Sequence, residues 1–270
     1  ALLALIATEV SLLPPFPYRL PLEDEDVAAY DHSHDMLEYL RQLGGSERVW
    51  IYGAGLSVEV GPKAMTRFGI RSINDYEPVS LRRQAEYFRY LTEGSTRLTR
   101  EPWVFLGDLS TLSTPPGVAP AATRRRLLDL AALRYFVLLP AAPASRPPED
   151  GAFPLDVKMT KLAQTKTKVE LWENTRALPR AYVTYNWQPA PPTDDLLAAI
   201  SQESYDPLSS TYVEGGPPPP TPGAPARGGP AQITVDTERI VEVDATLGAP
   251  GMLVLADTAF PGWKATVDGE

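Results

Sequence analysis

Cysteine is absent from the 270 residues, and histidine occurs only twice. The first absence excludes a disulfide framework and a thiolate metal site. A basic excess is also missing: 25 Lys and Arg stand against 34 Asp and Glu, for a net charge of −9. Phosphate backbones require clustered cations, so a nucleic-acid partner is not expected, and neither is a polybasic membrane patch. Long hydrophobic runs are lacking too. The opening stretch ALLALIATEVSLL is apolar for about eight residues before Glu9, far short of the roughly 20 that span a bilayer. It has neither an initiator Met nor the basic n-region of a signal peptide. It reads as the trailing end of a transmembrane helix, in preference to an amphipathic tail.

Packing material is plentiful, with hydrophobic residues at 43% and aromatics at 9%. The length suits two domains, at about 100 to 200 residues each. Proline is in excess: 29 residues, against an average frequency of about 5%. Several of these prolines gather in breaks, which divide the chain. Residues 1–20 read as the stump and a Pro-rich linker, 21–150 as a mixed α/β subdomain, and 151–270 as a mostly antiparallel β-sandwich cut at its C-terminus. A low-complexity Pro/Gly loop, 215–230, interrupts the second part and is expected to pack no core. The fold class is α+β.

Along the chain, Met36, Leu37, Tyr39 and Leu40 predict an amphipathic helix stopped by Gly44-Gly45. Arg48 to Gly53 predicts a buried strand. From Ser80, the spacing of Leu81, Ala85, Phe88 and Leu91 places them on one helix face. A helix over Thr123–Ala132 should run into a strand over Tyr135–Leu139. Lys168–Trp172 and Arg180–Tyr185 alternate as strands around the turn ENTRALP. A short helix follows over Asp194–Ile200, then weakly extended chain over Tyr205–Glu214. The segments ITV and IVEVDA predict a hairpin. A closing hairpin is expected where Met252–Ala256 turns through Pro261-Gly262, a type II pair, into the alternating Trp263, Ala265 and Val267. Asp268-Gly269 is then a hairpin-turn signal, and a chain that stops one residue later reads as part of something longer.

Each candidate for chemistry has a plainer competitor. Gly53 and Gly55 begin a nucleotide-loop pattern, but Val58 stands where its third glycine belongs and Pro62 interrupts the following helix. A strand-to-loop turn is preferred, so no cofactor is expected. His32 and His34, beside Asp31 and Asp35, have metal-ligand chemistry, yet i and i+2 side chains diverge on a helix and no third ligand cluster is evident. A solvated helix start is preferred, and no metal is expected. Arg124, Arg125 and Arg126 read as a solvated helix start rather than an anion clamp. Asp194 and Asp195 read as helix N-caps. No Ser-His-Asp set can be assembled, and no catalytic residue is assigned. Trp187, Trp263, Tyr76 and Tyr182 could stack on sugar rings, although sheet packing is commoner for such residues. Asp257 is expected to accept backbone N–H groups of the FPGW turn. If the protein binds glycan, Asp257, Trp263 and Lys264 come first, with Tyr76 and Trp187 as further candidates.

Four stretches together resemble one family. They are INDYEPVSLRRQAEYFRYL (Ile73–Leu91), LLDLAALRYFVLL (Leu127–Leu139), VELWENTRALPRAYVTY (Val169–Tyr185) and GMLVLADTAFPGWKATVDGE (Gly251–Glu270). In order and spacing they are similar to the extracytoplasmic region of YfhO-like bacterial polytopic membrane proteins. That family shows a GYxP-type loop, an LLDLLGVRYVV-like helix and strand, an ENPxALPRAY-like segment and an LVLSDxYYPGWKAxVDG-like hairpin. The chain departs at Asn74-Asp75, where the family tends to Asn-Gly, and at Ala131-Ala132, where it tends to Leu-Gly. The resemblance implies transmembrane helices preceding this region, a place on the outer face of a bacterial plasma membrane, and kinship with glycosyltransferases that use lipid-linked donors. It implies further that the catalytic carboxylate lies among membrane helices and not here. The expected partners are then the transmembrane part of the same polypeptide and a glycan or lipid-linked sugar. An independent carbohydrate- or protein-binding module, and a soluble nucleotide-dependent enzyme resting on Gly53 and Gly55, are the alternatives.

Overall fold

In a computed structural model, the described residues are 38–42, 47–52, 69–73, 81–96, 125–138, 159–164, 170–216, 227–237, 239–259 and 261–269. The opening stretch, His32 and His34, Gly53 and Gly55, Tyr76 and the Pro-rich break after residue 139 lie outside them. The chain is α+β, with helices and several mostly antiparallel sheets.

The largest sheet has five strands in the order β2-β1-β3-β5-β4. They are β1 (Arg48–Tyr52), β2 (Arg71–Ser72), β3 (Leu133–Leu138), β4 (Met159–Gln164) and β5 (Glu170–Asn174). β1 runs parallel to β2 and β3, whereas β5 runs antiparallel to both β3 and β4. The expected division at residue 150 therefore falls inside one hydrogen-bonded sheet. Parallel strands need a crossover connection, and here the chain between β1 and β3 includes α1 (Arg82–Glu93) and the short α2 (Arg126–Leu130). The apolar face predicted for α1 is buried at Ala85, Phe88 and Leu91. Gly94 ends the helix in the left-handed region at φ 71°, its N–H donating to Tyr90 O, the conformation that glycine adopts without a Cβ penalty.

These elements meet in one core of Trp50, Phe88, Leu91, Leu127, Leu128, Leu133 and Phe136. Trp50 and Phe88 pack edge to face, with centroids 5.6 Å apart and planes at 81°. Burying each such side chain contributes about 1.5 to 3 kcal/mol. At its C-terminal end α2 stops at Leu130, short of the predicted Ala132, where the backbone turns to φ 54°, and β3 begins at Leu133.

A second, antiparallel sheet has the order β12-β6-β9, from β6 (Ala181–Thr184), β9 (Gly229–Pro230) and β12 (Met252–Leu255). All four residues of β6 are buried, so the predicted alternation fails there: both faces of this central strand are covered. Two residues of the expected coreless loop, Gly229 and Pro230, pair with Val183 and Tyr182. Gly228 has to be glycine, since a Cβ there would lie 1.7 Å from Val183 O. The hairpin expected from ITV and IVEVDA forms as β10 (Gln232–Asp236) and β11 (Val241–Asp244). In the stretch expected to be weakly extended only β8 (Thr211–Val213) is strand, parallel to β7 (Trp187–Pro189). The predicted short helix is α3 (Thr193–Ile200).

The closing hairpin does not form. β12 pairs instead with β6, from Met252↔Thr184 to Leu255↔Ala181, a ladder between segments remote in sequence. Gly262 keeps its turn at φ 100°, but residues 263–267 carry no strand and are exposed. Trp263, expected in the core, is 46% exposed. Among the described residues no helix is long and apolar enough to cross a membrane.

Candidate functional site

Among the described residues, the densest group of charges joins strands of three sheets, the five-stranded sheet, the β12-β6-β9 sheet and the β10–β11 hairpin. Arg48 opens β1, Arg71 opens β2, Arg180 immediately precedes β6, Asp236 ends β10, and Asp257 follows β12 by two residues. Arg48, Arg180, Asp236 and Asp257 each stand at or beside the end of a strand with apolar residues, and Arg71 opens the two-residue β2, so sheet formation brings these charges together at the strand ends. Arg180 donates Nε to Asp257 Oδ1 at 3.0 Å and Nη2 to Asp257 Oδ2 at 2.6 Å. It also donates Nη1 to Asp236 Oδ2 at 2.5 Å and Nη2 to Asp236 Oδ1 at 3.2 Å. Arg71 grips Asp236 through Nε at 2.7 Å and through Nη2. Arg48 donates one Nη to Asp257 and the other to Ala131 O, the latter at 2.7 Å.

For Arg48, Arg180 and Asp257, desolvation is the first influence on the pKa. It lowers that of Arg48, with repulsion from Arg180 and Arg71 adding to it, and Asp257 only partly offsets the shift. Burial also opposes the charge of Arg180, but its bonds to Asp257 and Asp236 prevail and its pKa is raised. Burial likewise pushes Asp257 upward, whereas Arg180 and Arg48 pull harder and leave its carboxyl below the usual range. The arrangement holds charges in place. It brings together no nucleophile and base, and among the described residues no group of acids and histidines could hold a metal.

A second network joins α2 to β5. Asn174, fully buried, donates Nδ2 to Asp129 Oδ1 and to Leu133 O, each at 3.0 Å. Its Oδ1 accepts Arg176 N–H at 3.1 Å. Asp129, 2% exposed, also faces Arg126 at 3.3 Å and Arg176 at 3.5 Å. Burial raises its pKa, against the pull of Asn174 and the two arginines. Arg126, expected in solvent, is buried and donates to Tyr205 O at 3.1 and 2.9 Å. Arg125 pairs with Glu203, and Arg124 lies outside the described residues. Asp194 and Asp195 are not caps: the N-cap of α3 is Pro192, and both acids sit in its first turn, where the helix dipole favours them.

Of the glycan candidates, Asp257 belongs to the charge cluster. Its carboxylate partners among the described residues are Arg48 and Arg180, not the N–H groups of the following turn. Trp263 and Lys264 are exposed beyond that turn, and Trp187 is half-buried on β7. Tyr182 is buried in β6 and unavailable for stacking. A shallow polar hollow lies elsewhere, between Pro230, Ala231, Gln232, Asp244, Ala245 and Thr246, and no aromatic ring lines it. Local reading of the sequence missed Arg48, Arg71, Asp129, Asn174, Arg180 and Asp236. The available signal was a charged or amide residue directly against an apolar strand or helix run. No protein-family model, curated protein or solved structure matches the chain.

Proposed function

We propose that this chain is the extracytoplasmic region of a YfhO-like bacterial membrane protein. In this reading it is a domain without catalytic residues that shapes acceptor or glycan binding beside a membrane-embedded, glycosyltransferase-like centre serving cell-envelope polymers. One observation carries the reading: polar positions of three of the four motifs bond to one another. The aspartate of LLDL, Asp129, accepts from the asparagine of ENTRALPR, Asn174. The arginine of that same motif, Arg180, grips the aspartate of LADTAFPGW, Asp257. A shared pattern whose polar members hold each other is a pattern of architecture. Ala132 supports it further, since it stands where the family has glycine and its φ is 54°.

The finer fold belongs to the same proposal. β6, β9 and β12, with the β10–β11 hairpin, are read as parts of an antiparallel sandwich, and the transmembrane part of the same polypeptide is its partner. The test is external proteolysis of intact spheroplasts from the native bacterium, followed with an antibody to this chain. Recovery in the membrane fraction with cleavage from outside supports the proposal. A protease-protected, soluble cytosolic pool overturns it.

The exposure of Trp263 beside Lys264 favours a second reading, in which the domain itself holds carbohydrate. Trp263→Ala would then abolish quenching of tryptophan fluorescence by envelope polysaccharide while changing stability by less than about 1 kcal/mol. Quenching that persists unchanged in the variant rejects this use of Trp263.

A further inference from the structure

Arg48 and Arg71 open neighbouring strands and stand opposite one another in the parallel β1–β2 register. Adjacent strands lie about 4.8 Å apart, so two cationic side chains leave one end of the sheet side by side. Like charges so placed repel. That repulsion, added to burial, holds the Arg48 pKa below its ordinary value.

The ion pairs do not cancel the excess. They form a row that alternates in sign, Arg71, Asp236, Arg180, Asp257 and Arg48, each aspartate lying between two arginines. The row begins and ends on a cation, so among the described residues three arginines share two aspartates. Because Arg48 and Arg71 are neighbours on the sheet, its two ends meet. Asp129 does not make up the difference, since it faces Arg126 and Arg176. Arg71 uses Nε and Nη2 on Asp236, and Arg48 uses its two Nη groups on Ala131 O and Asp257. Arg71 Nη1 and Arg48 Nε have no acceptor among the described residues. Water reaches this end of the row: the Arg71 side chain is 31% exposed and that of Arg48 16%, against 4% for Arg180.

We propose that the Arg48 and Arg71 end of this row binds a singly charged oxyanion, a carboxylate or a phosphate diester, between the two guanidinium groups. One negative charge brings the row to neutrality. Guanidinium forks match the paired oxygens of both groups, which a halide lacks. The site is local, for the chain as a whole carries a net charge of −9, and it is independent of the proposed membrane setting.

The test melts the full chain in sodium acetate, sodium dimethyl phosphate and sodium chloride at equal ionic strength and pH 7. Acetate or dimethyl phosphate should raise the Tm above its value in chloride by about 3 to 5 °C at ten times the concentration of half effect. The salt with the larger rise identifies carboxylate or phosphate as the ligand group. Arg71→Gln, which removes the excess charge and leaves Asp236 its bonds to Arg180, should abolish the difference between salts. Phenylglyoxal labelling of the parent chain reads the same site without a variant. Under those conditions the effective anion should slow modification of Arg71 about tenfold relative to chloride, with no change at Arg82, whose side chain is 87% exposed. Equal Tm values and equal Arg71 labelling in the three salts overturn the proposal, as they would if an acid of this chain already lay between the two arginines. An anion-specific rise that persists in Arg71→Gln overturns it as well.

Discussion

Arg180 grips both oxygens of the Asp257 carboxylate, through Nε at 3.0 Å and Nη2 at 2.6 Å. Arg180 is 4% exposed as a side chain and Asp257 21%. The pair ties the start of β6 to the chain leaving β12. Through Arg48, 209 residues from Asp257 in sequence, the tie extends to the five-stranded sheet. A partly buried pair of this kind is a modest net stabiliser when whole, yet strongly destabilising when one partner is removed.

Acid should loosen this clamp. Folding lowers the Asp257 pKa from its ordinary 3.8, so its stabilisation is full above the unfolded value and is lost as pH falls through the folded one. Asp129 has the opposite sign: its pKa is raised, so ionisation at neutral pH weakens the fold and falling pH relieves that cost. Urea midpoints between pH 7 and pH 3 should therefore fall in the parent, fall less in Asp257→Asn and fall more in Asp129→Asn. Glu203, held by Arg125 and Arg176 at about 2, adds a smaller acid loss because it is largely exposed.

Asn174→Ala should cost on the order of 2 to 3 kcal/mol, because it leaves the buried Asp129 carboxylate and Leu133 O without their amide donor. Chemical denaturation reads the loss. Asn174→Asp should be worse than alanine, since it places a second carboxyl against Asp129.

Ala132 occupies the left-handed region at φ 54° and is 1% exposed. Ala132→Val should destabilise by about 2 kcal/mol or more, since β-branched side chains fit this backbone poorly. Ala132→Gly should stay within about 1 kcal/mol of the parent, relief of strain offsetting the lost methyl group. Equal losses in the two variants would show that packing and not backbone conformation controls the position.

The local half of the fold was legible in the sequence. Leu81, Ala85, Phe88 and Leu91 spell the buried face of α1, RVWIY spells β1, and the turn after Asp236 spells β10–β11. What failed were relations between remote segments. β6 alternates in composition yet is covered on both faces by elements that no local window contains. The stretch 252–267 has every local sign of a hairpin, but β6 provides β12 with a better ladder, and 263–267 is left out. The charge clusters were hidden for the same reason, for Arg48 and Asp257 meet only after two sheets have formed. Tyr76, His32 and Gly53 lie outside the described residues, and the readings made on them stand as expectations.

The central claim is that the motif residues Arg180 and Asp257 are architecture, tying the start of β6 to the chain leaving β12, with Arg48 extending the tie to the five-stranded sheet. A double-mutant cycle with Arg180→Met and Asp257→Leu, read by urea denaturation, tests it most directly. Each single substitution should cost about 3 to 5 kcal/mol by stranding the other charge. The double variant should cost less than the sum of the two, by on the order of 2 kcal/mol. Single costs that add to within about 0.5 kcal/mol, or fall below about 1 kcal/mol each, would contradict the claim.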